Sequence, residues 1–333
     1  MNKLYGIQYL RAVAALGVVV FHAAERSGGH FTIGAAGVDV FFVVSGFIMW
    51  VLAEVRQPSP TAFLRERVER IVPLYWIATA VMVAGGLAGL FPKMKLTAFH
   101  VFGSFAFIPH VSPSDGGTWP VLVQGWTLNY EMFFYILFAA VLFLPAARRF
   151  PALALLFGTL VAIGLVVQPD GAVLRTYTSP LMAEFLIGAA IGKLWLANRM
   201  PPAALGVPLI VASAAGFALV GFGYLPFGPA ALAPLSGMLL VGFLCLEKAG
   251  RVRHMRVPTY LGDASYSIYL WHTIAISVAV KASGMTGLSA LPAFVLSIGA
   301  GTVAGLVCHE LLEKPIAAWF KARRHRARVR YAG

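Results

Sequence analysis

Arg11 and His22 lie on the same apolar stretch, residues 7–24. Their eleven-residue separation is three helical turns plus ~20°, so both project from one face, ~16.5 Å apart along the axis. Ionisable groups inside a membrane-length helix are costly and mark functional sites by default. The pair suggests a membrane enzyme that brings a charged reagent to a buried base. Asp39 opens the next apolar stretch and is expected near the depth of His22. A carboxylate there would fix the imidazole tautomer and favour the imidazolium formed on proton uptake. The alternative is a packed His22 bonded to a backbone carbonyl. Ser45, followed by Gly46, either permits close helix packing or offers a hydroxyl.

Other segments add chemistry. Arg67 and Arg70 are i,i+3 neighbours before the third apolar run. Two guanidinium forks at a membrane surface suit phosphate groups, though headgroup anchoring is the alternative. Glu131, in Trp126-Thr-Leu-Asn129-Tyr130-Glu131, is expected to face a polar cavity, because an unpaired carboxylate in lipid is expensive. Ser265, Ser267, Tyr269 and His272 put hydroxyls and an imidazole on another apolar segment, and Glu313 precedes Pro315 near the last one. No metal set is expected: His22, His272 and His309 are scattered, with no HxxxH or HExxH, and neither a Walker A loop nor GxSxG occurs.

These side chains need a scaffold, and composition names it. Of the 333 residues 59% are hydrophobic and 12% charged, with mean hydropathy +0.79. Soluble domains carry about 25% charged residues. The expected fold is therefore an all-α integral membrane bundle. Runs of about 20 apolar residues fall near 7–25, 34–54, 70–90, 122–144, 151–168, 179–197, 203–221, 229–247, 264–282 and 291–312. The first is too long for a signal-peptide core and is expected to remain as a span. The stretch 96–109 reads as an interfacial or re-entrant piece of the long loop 91–121. Ten spans put both termini on one side. That side holds most of the 26 Lys and Arg residues, so it is cytoplasmic by the positive-inside rule. The net charge of +13 thus reflects topology and headgroup contact rather than nucleic acid. Residues 1–320 form one transmembrane domain, and 321–333 a basic cytoplasmic tail. Cys245 and Cys308 both fall in apolar runs and make no disulfide framework.

Taken in order, the segments resemble the integral-membrane acyltransferase 3 family. The matching marks are Arg11…His22, Gly37-Val-Asp39…Ser45-Gly46, Arg67…Arg70…Pro73…Tyr75, Trp126-Thr-Leu…Glu131…Tyr135, Ser265-Tyr266…Tyr269…His272 and Glu313-Lys-Pro315. The start Gly-Ile-Gln-Tyr-Leu-Arg and the central Gly-Trp-Thr-Leu-Asn-Tyr-Glu look like the exopolysaccharide O-acetyltransferase branch. The resemblance implies transfer of a short acyl group, usually acetyl, from cytoplasmic acyl-CoA to a sugar hydroxyl. The acceptor would be a polysaccharide or a lipid-linked oligosaccharide in a bacterial inner membrane. Acetyl-CoA would be a co-substrate, with no bound cofactor. His22, with Asp39 and Glu131, would be catalytic. Arg11, Arg67 and Arg70 would bind acyl-CoA, with Ser45, Tyr269, His272 and Glu313 in support. One departure is Glu66, where many relatives carry a further Arg, which lowers positive charge at the donor entrance. A carbohydrate or lipid transporter is the competing class, but no paired Gly/Pro-broken spans mark two halves. A non-enzymatic assembly component would leave Arg11 and His22 unexplained.

Overall fold

The computed structural model describes the backbone of residues 3–332 and the side chains of 3–324 and 326. Most side chains of the expected tail 321–333 therefore lie outside the described residues. Among those described, all regular structure is helical. In chain order it comprises α1 (Tyr5–Arg26), a 3₁₀ turn (Thr32–Ala36), α2 (Gly37–Arg56), α3 (Pro60–Leu87), α4 (Ala98–Phe105), α5 (Gly125–Val141) and α6 (Ala146–Val167). Then come α7 (Ala172–Tyr177), α8 (Met182–Leu196), α9 (Gly206–Gly221), α10 (Pro229–Lys248), α11 (Arg256–Asp263), α12 (Ser265–Met285) and α13 (Ala290–Cys308). A π-helical turn (His309–Glu313) leads into α14 (Lys314–Ala332).

All ten expected apolar segments are helical. Eight helical stretches are long and apolar enough to cross a membrane. The other two expected segments fall short for physical reasons. Helix α5 has only 17 residues, and α12 is diluted by Ser265, Ser267, His272 and Lys281. Helix α4, within the loop 91–121, has 8 residues and is too short to span.

Helices α1 and α2 form the centre. In the apolar window of α2, 72% of residues are buried inside the protein, against 11% for α6. Outer helices instead present Leu155, Val166, Val211 and Leu291 outward, as a lipid-facing rim requires. Close backbone approach locks the centre. A Cβ on Gly37 would lie 2.3 Å from the Ala14 carbonyl oxygen, and one on Gly34 would lie 2.3 Å from that of Gly17. Likewise, a Cβ on Gly46 or Gly188 would strike the Phe185 or Val43 carbonyl, which fixes α2 against α8. The N-terminal end of α1 has no cap of its own. Glu247, at the end of α10, supplies one: its carboxylate accepts from Tyr5 N at 2.9 Å and Gly6 N at 2.8 Å. An acidic group on a helix N-terminus satisfies orphan donors and complements the dipole. That anchor lies less than two turns from Arg11.

Candidate active site

A cavity of about 350 Å³ opens among α1, α2, α3, α5 and α12. It collects Arg11, Ser45, Arg67, Arg70, Glu131 and Tyr269 from five separate segments, together with Tyr135 and Tyr266. Glu131 accepts from Ser45 Oγ at 3.1 Å and from the Tyr135 hydroxyl. Its carboxylate is thereby held by two donors while still lining the cavity. The Tyr269 hydroxyl donates to the Gln124 carbonyl at 3.2 Å and lies 2.9 Å from Thr127 Oγ1.

The two innermost guanidinium groups lack full compensation. Arg11 Nη1 donates to Gln8 Oε1 at 3.3 Å, and among the described residues no carboxylate lies within ion-pair distance of it. Arg67 is only 8% exposed, yet its Nε has no hydrogen-bond partner, and its nearest carboxylate, Glu66, stands 3.8 Å from Nη2. Cations withdrawn from water with incomplete pairing are costly unless a further anion completes them. Arg11, Arg67 and the exposed Arg70 therefore make an anion-seeking wall.

His22 lies off this cavity. Its ring centroid is 5.1 Å from that of His272, which in turn is 6.0 Å from Tyr269 at the cavity wall. His272 is fully buried; its Nδ1 pairs with the Ile268 carbonyl at 3.0 Å and its Nε2 has no partner. Since a carbonyl can only accept, Nδ1 carries the proton and Nε2 is a free acceptor. The residues thus lead from the cavity wall at Tyr269 to His272 and on to His22.

Asp39 departs from expectation. The Gly34–Gly17 and Gly37–Ala14 contacts set Asp39 level with Ala12, ~15 Å below His22 along α1. The 3₁₀ turn consumes the outer part of the second apolar segment, so α2 begins deeper than a span count suggests. Asp39 instead lies near Glu184 of α8, and among the described residues no ion pair joins it to His22. Both Glu184 oxygens are buried without a hydrogen-bond partner. Glu313 also stands apart from Glu131. It sits in the π turn, accepts from Ser267 Oγ at 2.6 Å and pairs with His309 Nδ1 at 2.7 Å. It lines a neighbouring cleft instead. Sequence reasoning gave no role to Glu184, although a lone carboxylate within an apolar run is itself the signal. Tyr135 and Tyr266 were marks of the family resemblance but had no role of their own, because tyrosines are common at membrane interfaces.

This constellation, in a multi-pass helical bundle, is that of a membrane acyltransferase, and the chain belongs to the acyltransferase 3 family. The family model, described as an acyltransferase domain, matches residues 4–310. The chain is 53% identical over 306 residues to the exopolysaccharide production protein ExoZ of Rhizobium meliloti (strain 1021), covering 92% of this chain and 96% of that protein. It is 30% identical to the putative membrane-bound transacylase BcsY of Komagataeibacter xylinus, over 84% of this chain and 74% of that one. A putative O-acetyltransferase of Staphylococcus aureus (strain COL), SACOL0978, is 24% identical over 83% of this chain and 51% of its own length. No solved structure matches.

Proposed function

We propose that this acyltransferase moves an acetyl or similarly short acyl group from cytoplasmic acyl-CoA to a sugar hydroxyl of an exopolysaccharide or its lipid-linked precursor. The carrying observation is Arg67, buried with an unpartnered Nε on the wall that also holds Arg11 and Arg70. Acyl-CoA brings phosphates to such a wall, while its long neutral arm follows the cavity toward Tyr269. The relationship to the exopolysaccharide production protein supports the acceptor class. We place ten spans in a bacterial inner membrane, both termini in the cytoplasm, with 1–320 as the transmembrane domain and 321–333 as a basic tail.

In this reading His22 is the general base. It removes the proton of the sugar hydroxyl as the oxygen attacks the thioester carbonyl. The C–O bond forms, the C–S bond breaks, and the proton passes to the departing CoA sulfur. Positioned proton transfer typically contributes about 10²–10⁴-fold. His272, with its free Nε2, orients His22. Glu131, held by Ser45 and Tyr135, binds a sugar hydroxyl, and Tyr269, whose proton goes to the Gln124 carbonyl, lines the donor path. Asp39 acts through α2–α8 packing. Purified protein should release free CoA from acetyl-CoA only when a sugar acceptor is present. Native polysaccharide from cells lacking the protein should lose O-acetyl signals by NMR. Unchanged O-acetylation would defeat the proposal, and movement of an intact glycan without CoA release would favour a transporter.

A further inference from the structure

A second cleft, of about 280 Å³, opens between α3 and α14 and shares Arg56, Arg67 and Arg70 with the main cavity. Its far wall is α14, through Phe320 and Arg324. Arg324 Nη1 is held by Glu69 Oε2 at 2.8 Å and stands 4.0 Å from Glu66 Oε1. Glu69 is already paired with Arg65 Nε at 2.7 Å. Arg324 is therefore a second cation on a carboxylate that has another partner. At the junction of the two cavities lies the unpartnered Nε of Arg67.

Four guanidinium groups and one aromatic side chain border this cleft, together with the carboxylates of Glu66, Glu69 and Glu313. Guanidinium forks match phosphate oxygens, and an aromatic face or a guanidinium plane accepts a flat heterocycle. The cleft adjoins the main cavity through these shared arginines. We propose that the α3–α14 cleft seats the nucleotide end of the acyl-CoA donor, with its adenine against Phe320. The diphosphate meets Arg56, Arg67 and Arg70 at the junction. Arg324 gives up Glu69 for the remaining ribose phosphate. The inference rests on the acyl-CoA reading above and adds to it that the C-terminal helix completes the donor site. Glu66 then has a use: it neutralises Arg67 and Arg324 until a phosphate arrives.

The test compares acetyl-CoA with acetyl-phosphopantetheine, which lacks the nucleotide. Arg324→Gln and Phe320→Ala should each raise KM for acetyl-CoA about 10-fold, the loss of one charge-assisted contact or one stacking face. Neither should change KM for acetyl-phosphopantetheine, nor kcat with either donor. Arg326→Gln, on the exposed side of the same helix, should change nothing. Equal effects on both donors, or none on acetyl-CoA, would overturn the nucleotide subsite while leaving the acyl-CoA reading intact. Wild-type protein that transfers nothing from acetyl-CoA would overturn both. Adenosine 3′,5′-bisphosphate should also inhibit the unmodified protein competitively against acetyl-CoA. Failure to inhibit at any soluble concentration would overturn the subsite without recourse to variants.

Discussion

The imidazoles of His22 on α1 and His272 on α12 face each other with ring centroids 5.1 Å apart. The Ile268 carbonyl holds the proton of His272 on Nδ1, which leaves its Nε2 an acceptor with no hydrogen-bond partner beside the His22 ring. His22→Ala should therefore abolish transfer, while expression and membrane insertion persist. His272→Phe should lower kcat less, and shift its pH profile, because the base remains but loses its orienting partner. Wild-type-like turnover by His22→Ala would remove His22 from the chemistry.

The paired guanidinium groups give a second expectation. Replacing Arg67 and Arg70 together by Gln should raise KM for the donor far more than for the acceptor. A hydrogen bond to a charged group is worth about 1.5–3 kcal/mol, so at least ~10-fold per strong contact is expected. An unchanged donor KM together with inverted topology would mean that these arginines only orient the chain.

Asp39 and Glu184 give a third. Both are buried, and Glu184 receives no hydrogen bond from another group. Asp39→Ala should destabilise the protein by about 0.5–3 kcal/mol, because it leaves a gap in the tightly packed α2–α8 seam. Asp39→Asn combined with Glu184→Gln should recover thermal stability and most activity, since amides can pair without charge. If that double variant were stable but as inactive as His22→Ala, Asp39 would return to the catalytic set.

The long loop carries a pH dependence. His110 Nδ1 pairs with the Ile108 carbonyl at 2.6 Å and so carries a proton, leaving its Nε2 to accept from His100 Nδ1 at 2.8 Å. Burial, and secondly the neighbouring His110, push the His100 pKa below its ordinary 6.5. The unfolded loop therefore binds more protons than the folded one in this window, so stability rises with pH there. The loop should be fully stable above about pH 6.5 and weaken as pH falls through the lowered value. Hydrogen exchange of the backbone amides of 98–110 between pH 7.5 and 5 would show this. Protection that increases on acidification would contradict the assignment.

Legibility in the sequence followed the physics of each feature. Apolar run length located all ten helical segments, because lipid burial dictates both length and composition. Arg11, Arg67, Arg70 and Glu131 stood out as charges on apolar helices, and they do converge on one cavity. Depth was not legible. Span counting put Asp39 beside His22, but glycine contacts between α1 and α2 determine the register, and a sequence does not reveal which glycine meets which carbonyl. The partners of α14 were hidden for the same reason. Arg324 reads as one of many basic tail residues until folding brings it to Glu69, 255 positions away in the chain.

Sidedness is the last expectation. On the proposed positive-inside orientation, Arg67, Arg70 and α14 lie on the cytoplasmic side. Helix α1 is continuous from its Glu247-capped end through Arg11 to His22, so His22 stands ~16.5 Å farther from that side than Arg11 does. Acyl-CoA is membrane-impermeant and must dock where the arginines are, whereas its thioester has to reach the histidines. Donor and acceptor should then enter from opposite faces, and CoA need never cross the bilayer whole. In sealed vesicles of known orientation, acetyl-CoA should support transfer only when supplied to the face that bears α14. Proteolysis of α14 from that same face would verify the orientation in each preparation. Transfer with donor supplied only to the opposite face would overturn both the topology and the through-membrane path.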